Sequence, residues 1–268
     1  MNFFKDLFNA IANCFKSFSL LFEKGLWPYL FYPVLVWLIM WAGSLWLFAH
    51  VSVTIAEYIN QQLDLNHIPD SGSWLSFAKP FLTGWFATIL AWIIKLALWF
   101  LSGTFSKYVT LILLSPLLSL LSEAAEEKQK GIAYAFNFTQ FLKDVLRGIG
   151  ISLRNMLLEY AIIALCFMVT LIFPPLFFIT TPFLLVVSWY FTGFTMLDYN
   201  FERHKMGISQ SVKFTRRHKG TACGVGMVYW LCMLLPFIGL MLGPTLAVIG
   251  ACTSFLDLKQ QRTEHGTL

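Results

Sequence analysis

Residues 27–49 read WPYLFYPVLVWLIMWAGSLWLFA, 23 residues without one charged side chain. As a helix at 1.5 Å per residue the stretch is roughly 35 Å long, enough to cross a hydrocarbon core about 30 Å thick. Trp27, Tyr29 and Tyr32 sit near its start, where amphipathic rings anchor a helix at the headgroup level. Around this stretch the composition agrees. The chain has 268 residues, of which 57% are hydrophobic and only 12% charged, with 27 Phe, 10 Trp and 9 Tyr. A soluble domain carries roughly 25% charged residues and lacks the interior volume to hide so much apolar surface. Soluble enzymes, disordered chains and secreted disulfide scaffolds are excluded. The five cysteines (Cys14, Cys166, Cys223, Cys232, Cys252) are scattered, mostly in apolar runs, and form no C-x-x-C pair; they read as small membrane-buried thiols.

Upstream, residues 2–22 are periodic. Phe4, Leu7, Phe8, Ile11, Phe15, Phe18 and Phe22 share one helical face, and Asn2, Lys5, Asp6, Asn9, Asn13 and Lys16 the other. This predicts an amphipathic helix at the membrane surface. Polar residues interrupt any signal-peptide core, and no small-residue cleavage site follows. Downstream, 51–80 is polar. A second apolar stretch, 81–114, contains Lys95 and is too long for one straight crossing, so it must tilt, kink near Gly103 or project into water. The segment 115–154 opens at Ser115-Pro116 and becomes charged. Apolar runs at 156–173 and 176–197 flank Pro174-Pro175. A basic stretch, Arg203 to Lys219, precedes two last runs, 221–235 and 237–256, which flank Pro236 and Gly239 and are short for full crossings.

Lys and Arg collect before the first span, in 128–154, in 203–219 and in the tail, whereas the intervening connections hold Lys79 or no charge. The positive-inside rule places both termini in the cytoplasm, with an even number of crossings, six at most. The expected fold is an all-α integral membrane protein: long transmembrane helices, an N-terminal amphipathic helix, and short helical hairpins that either cross or enter part-way where protein covers their backbone. It is expected to form one membrane domain over 1–268, with 1–22 interfacial and 115–154 and 199–220 cytoplasmic.

The stretch Asp198-Tyr199-Asn200-Phe201-Glu202-Arg203-His204-Lys205 resembles the D-Y-P-F-D-N-H-K segment of the CysZ family. These are bacterial inner-membrane proteins of sulfate uptake, related to eukaryotic etoposide-induced membrane proteins. The basic helix Ser211 to Lys219 is similar in character. So is the hairpin Leu235-Pro236-Phe237-Ile238-Gly239-Leu240, followed by Pro244 and Gly250-Ala251. Ser115-Pro116-Leu117-Leu118-Ser119-Leu120-Leu121-Ser122-Glu123 resembles the family's A-P-F-N-x-L-L-A-E. The resemblance implies sulfate or a similar anion as substrate, an inner-membrane location, partially inserted hairpins and a homo-oligomer, dimer or higher. One departure bears on the substrate. The family carries a Gly-Leu-Arg motif before its first membrane helix, associated with sulfate; here the matching residues are Gly25, Leu26 and Trp27. Lys24 supplies charge one position earlier, without the planar donor fork of arginine.

The candidate substrate residues are therefore Lys24, Gly25, Leu26 and Lys95. Lys95 is the most isolated intramembrane charge and a functional candidate for that reason; its plainer reading is a lysine that snorkels from a tilted helix. Glu159, a few positions from Arg154, reads as half of an interfacial pair. Glu123, Glu126 and Glu127 share a helical face, suited to a metal or, more simply, to solvent. Asp198, His204 and Lys205 read as a helix-joining turn, with Asp198 capping or pairing with Arg203 or Lys205. The basic run reads as lipid-facing rather than nucleic-acid binding. Gly239-x-x-x-Gly243 permits close helix approach, and Ser102, Thr104, Ser106 and Thr110 form a polar stripe. No nucleophile elbow, P-loop or zinc-protease pattern occurs, and the five histidines are dispersed, so no enzyme, cofactor or metal is expected. Three functions stay open: a sulfate or oxyanion permease, a non-transport scaffold or bilayer-shaping protein of the same fold, and a lipid-handling protein.

Overall fold

The computed structural model describes residues 3–23, 25–36, 38, 39, 42, 85–131, 138–204, 206–235 and 238–264, with 85–106, 144, 171, 174, 202, 203 and 262–264 described by their backbone alone. The chain divides into two compact units. One comprises Met1–Val36 with Tyr108–Leu268, and the other Trp37–Lys107. In the second unit the backbone is helical from Trp85 onward.

The described residues are helical, without strands. In chain order the helices are α1 (Phe3–Glu23), α2 (Trp85–Lys130), α3 (Phe138–Ile172), α4 (Phe177–Arg203), α5 (Ile208–Arg217), α6 (Lys219–Met233) and α7 (Ile238–Glu264). A 3-10 turn over Trp27–Leu30 opens the short apolar helix Trp27–Val36. Among the described residues, four segments are long and apolar enough to cross a membrane: Lys107–Lys130, Phe138–Thr170, Phe177–Phe201 and Ile238–Gln261. The final run, expected to be short, is thus a full-length helix, because helical geometry continues past the apolar residues to Glu264. Its hairpin partner α6 has 15 residues, roughly 22 Å at 1.5 Å each, and falls short of the core thickness. The apolar stretch 81–114 and the start of the segment that opens at Ser115-Pro116 form one helix. Pro116 lies inside α2, and Ser115, Leu118, Leu121 and Ser122 around it are buried.

α6 occupies the middle of the first unit. Its sequence, KGTACGVGMVYWLCM, is apolar and small, and nine of its residues are buried. Small residues let the backbones of neighbouring helices approach closely. A Cβ on Gly220 would collide with the Phe3 carbonyl of α1, and one on Gly224 would lie 2.6 Å from the Leu7 carbonyl. On another side, a Cβ on Gly226 would enter the Trp189 carbonyl of α4, and Gly193 of α4 meets the Ala222 carbonyl in return. At the hairpin, Gly239 of α7 abuts the Cys232 carbonyl. The first half of the Gly239-x-x-x-Gly243 pattern therefore serves hairpin packing.

α1 matches its predicted extent and pattern. Phe4, Phe8, Phe15, Phe18 and Phe22 are exposed, the arrangement expected of a face turned to lipid. Its other face is not left to water. Asn13 is only 5% exposed and donates from Nδ2 to Ser254 Oγ at 3.2 Å and to Asp257 Oδ2 at 2.8 Å on α7. Cys14 packs directly on Gly250. At the far end of the bundle, α3 and α4 are joined by a 3-10 turn, Pro174–Leu176, and the Thr170 and Thr180 hydroxyls meet across it at 3.1 Å. Proline cannot donate to a continuing helix, so the pair ends α3 there. The outer faces of α3 and α4 expose Leu157, Leu165, Phe167, Phe178, Ile179 and Phe183, a surface at home in hydrocarbon and not in water.

Two outcomes follow. Gly226→Val forces α6 off α4 and is expected to cost several kcal/mol, as overpacking at a closed contact does. Gly150→Ala, with nothing within 4 Å of its new Cβ, should be neutral or stabilise by up to about 1 kcal/mol; thermal melts monitored by size-exclusion chromatography compare the two. Burial pushes the Cys14 thiol up to about 12, so it stays protonated across pH 7–9. Cys14 is accordingly expected to resist maleimide at pH 8 in the folded protein and to label fully in denaturant, read by peptide mass spectrometry.

Candidate functional site

The charged and polar side chains that the first unit buries concentrate at one end of the bundle, where α2, α4 and α7 finish and α3 begins. Arg147, three turns into α3, is held from three directions. Its Nη2 donates to Asp198 Oδ1 of α4 at 3.1 Å and to Ser211 Oγ of α5 at 2.7 Å, and its Nη1 donates to the Met206 carbonyl. The chain between α4 and α5 is shaped for this. The Gln210 side chain accepts from the Gly207 N–H at 3.0 Å, as the third helical residue does in a capping box. Ser211 donates to the Gly207 carbonyl. A guanidinium with a fixed fork of donors suits a carboxylate, a hydroxyl and a carbonyl at once. Asp198 is 2% exposed, so its charge is tolerated by virtue of that cation.

A second group lies at the ends of α2, α4 and α7. Glu126 is 0% exposed. Its Oε1 is 2.5 Å from Lys130 Nζ and 3.3 Å from His204 Nε2. The other ring nitrogen, His204 Nδ1, is 3.2 Å from Lys259 Nζ. An ammonium has only protons to give, so Nδ1 accepts and Nε2 carries the ring proton toward Glu126. The ring packs on Phe255 at 4.8 Å. Beside it Ser122 Oγ donates to Asn200 Oδ1 at 3.0 Å. The net effect is a chain of contacts Lys130–Glu126–His204–Lys259 that ties three helices together.

Deeper in the bundle, Tyr108 donates to Glu159 Oε2 at 2.5 Å, both buried. Asn155 Nδ2 donates to Thr195 Oγ1 at 3.2 Å. Arg154 donates to Asn155 Oδ1 at 3.2 Å and lies over the Phe194 ring, 5.9 Å from its centroid. These contacts satisfy polar groups between helices that apolar packing alone would leave featureless.

The structure treats the sequence candidates unequally. Gly25 has φ of +69°, a left-handed turn that favours glycine. Leu26 is 3% exposed and Trp27 is 52% exposed. The turn thus anchors Leu26 inside and projects the third position outward. Lys24, Lys205 and Pro236 lie outside the described residues, as do the side chains of Lys95, Ser102, Thr104 and Ser106. Thr110 is buried on α2, as is Ser115. Pro244 sits inside α7. Asp198 and His204 belong to the two groups above. The structure gives Asp198 a partner from a different helix, Arg147; the Arg203 side chain and Lys205 lie outside the described residues. One reading is corrected. Glu126 is not on a solvated face, because α4 and α7 close over it; Glu123 and Glu127 are half-buried. Among the described residues, no His, Cys, Asp and Glu side chains gather as a metal cluster. Sequence reading missed Arg147, Ser211 and Tyr108 altogether. The available signal was Arg147 itself, a cation amid Val145, Leu146, Ile149 and Ile151.

The sequence pattern of a known family, described as sulfate transporter CysZ/etoposide-induced protein 2.4, matches residues 13–244. Among curated proteins, one from Pectobacterium atrosepticum named sulfate transporter CysZ is 23% identical over 252 residues, 91% of this chain and 82% of the relative. Proteins of the same name from Vibrio parahaemolyticus and Vibrio cholerae are each 27% identical. The first alignment covers 86% of this chain and 87% of the relative, the second 91% and 90%. A match that runs from α1 through the α6–α7 hairpin takes in every buried group described above except those at the end of α7, and the chain belongs to the sulfate transporter CysZ/etoposide-induced protein 2.4 family.

Proposed function

We propose that this protein is a permease for sulfate or a related oxyanion in the bacterial inner membrane, multi-pass, with both termini cytoplasmic and assembled as a homo-oligomer. The observation that carries the reading is similarity to proteins named sulfate transporter CysZ along 82–90% of their length. Two features of the chain support it. Exposed apolar side chains on α3 and α4 and paired charges inside suit a membrane-embedded bundle. The Gly25-Leu26 turn also presents an exposed side chain at position 27, where the family pattern carries an arginine. Moving a dianion inward against about 100 mV costs roughly 4.6 kcal/mol. Uptake therefore needs low internal sulfate or a co-transported positive charge.

The Arg147–Asp198 pair acts as a clasp in this reading rather than as an anion site, since the carboxylate already neutralises the guanidinium. It joins α3, α4 and the start of α5, the elements that position the path. The specific doubt attaches to Trp27, which favours a non-transport scaffold of the same fold as the second reading.

Radiolabelled sulfate uptake into proteoliposomes decides between them. Saturable uptake above empty liposomes is expected; none in a well-folded preparation, with or without a pH gradient, would favour the scaffold. Trp27→Arg is expected to lower the half-saturating sulfate concentration by about tenfold, the worth of one charge-assisted contact. Arg147→Ala leaves Asp198 buried without its cation, and should cost about 3–5 kcal/mol of stability with loss of uptake. Arg147→Met combined with Asp198→Leu should restore the stability, and recovery of uptake with it would identify the pair as a clasp.

A further inference from the structure

A cleft lies along α5, outside the buried groups above. It measures about 260 Å³ and is lined by Met206, Gln210, Lys213, Phe214 and Arg217. Gln210, Lys213 and Arg217 recur at spacings of three and four residues, which places them on one face of the helix. Lys213 and Arg217 are exposed, whereas Phe214 is buried and Met206 half-buried beside them. Among the described residues the lining thus has two cations and an amide over an apolar wall, and no carboxylate. Gln210 accepts the Gly207 N–H through Oε1, which leaves its NH2 as a further donor.

From this lining we infer that the α5 cleft binds the phosphate headgroup of an anionic phospholipid. The two cations meet the phosphate, and Met206 and Phe214 meet the first carbons of the lipid. Charge complementarity gives the headgroup its sign. The apolar wall selects an amphiphile over a free inorganic anion, which gains nothing from such contact. Helices that meet near the cleft also expose apolar side chains. Arg147 of α3 reaches the Met206 carbonyl at its edge, and the same helix exposes Phe138, Leu142 and Leu146 on its way there. Ile208, at the start of α5, is exposed as well. A lipid in this position would bear on the turn that holds Arg147, because Met206 belongs to both.

Titration of the full-length protein in detergent with phosphatidylglycerol or phosphatidylcholine, read by native mass spectrometry, tests this. Phosphatidylglycerol should bind in preference. Lys213→Gln with Arg217→Gln should weaken it about thirtyfold, from about 1 kcal/mol for each cation, and leave phosphatidylcholine unchanged. Arg216→Gln with Lys219→Gln removes two exposed cations of the same region that do not line the cleft; phosphatidylglycerol affinity should then stay within about twofold. Circular dichroism and monodispersity check that both variants fold. Equal binding of the two lipids, or equal loss in the two double variants, would overturn the inference. Displacement of phosphatidylglycerol by millimolar sulfate would overturn it too, by making the cleft a site for a free oxyanion.

Discussion

The backbone-to-backbone approach of α6 to its neighbours is the constraint on which the first unit depends. Gly220 and Gly224 seat α1, Gly226 seats α4, and Gly239 closes the hairpin to α7. Each contact is closer than any side chain beyond hydrogen permits. In lipid the hydrophobic effect does not distinguish helix–helix from helix–lipid contact, so dense van der Waals packing of this kind has to hold the bundle together. A helix only 15 residues long gains little from membrane immersion alone. Its stability comes from being surrounded; its own glycines admit α1 and α4, and Gly239 of α7 admits the third neighbour.

With α6 fixed, the ends of the surrounding helices fall into register, and that register explains where the charges are. Asp198 and Glu126 are almost fully buried, which in isolation would be prohibitive. They persist because each faces a cation on the same end of the bundle, Arg147 at 3.1 Å and Lys130 at 2.5 Å. The two groups serve different seams. Arg147 joins α3 to α4 and α5, and the Glu126–His204–Lys259 chain joins α2 to α4 and α7. The carboxylate of Asp198 neutralises Arg147, which separates that buried cation from the outward-projecting position 27 and from the basic cleft on α5.

The Gly25-Leu26-Trp27 turn illustrates how a motif divides its labour. The positive φ of Gly25 and the burial of Leu26 belong to the backbone path between α1 and the following helix. Any third residue could occupy position 27 without disturbing that path, since its side chain points out. The fold therefore accommodates tryptophan there.

Membrane class, helical content and the amphipathic N-terminal helix were legible in the sequence, because they depend on composition and on periodicities that lie within one segment. The 2–22 pattern became α1, and the family was recognisable from short local motifs. Partners were not legible. Asp198 pairs with a residue 51 positions away and Ser122 with one 78 away, and no local rule points from Asp198 to Arg147. Glu126 shares its helical face with Glu123 and Glu127, and periodicity cannot say which of three like residues a neighbouring helix will cover. The extent of α7 was misjudged for a related reason: hydropathy marks where lipid contact ends, whereas the helix continues as far as its backbone hydrogen bonds do. Sequence by itself determined what each segment is; tertiary packing decided which segment each one meets, because burial and charge pairing are properties of two surfaces and a sequence window holds only one.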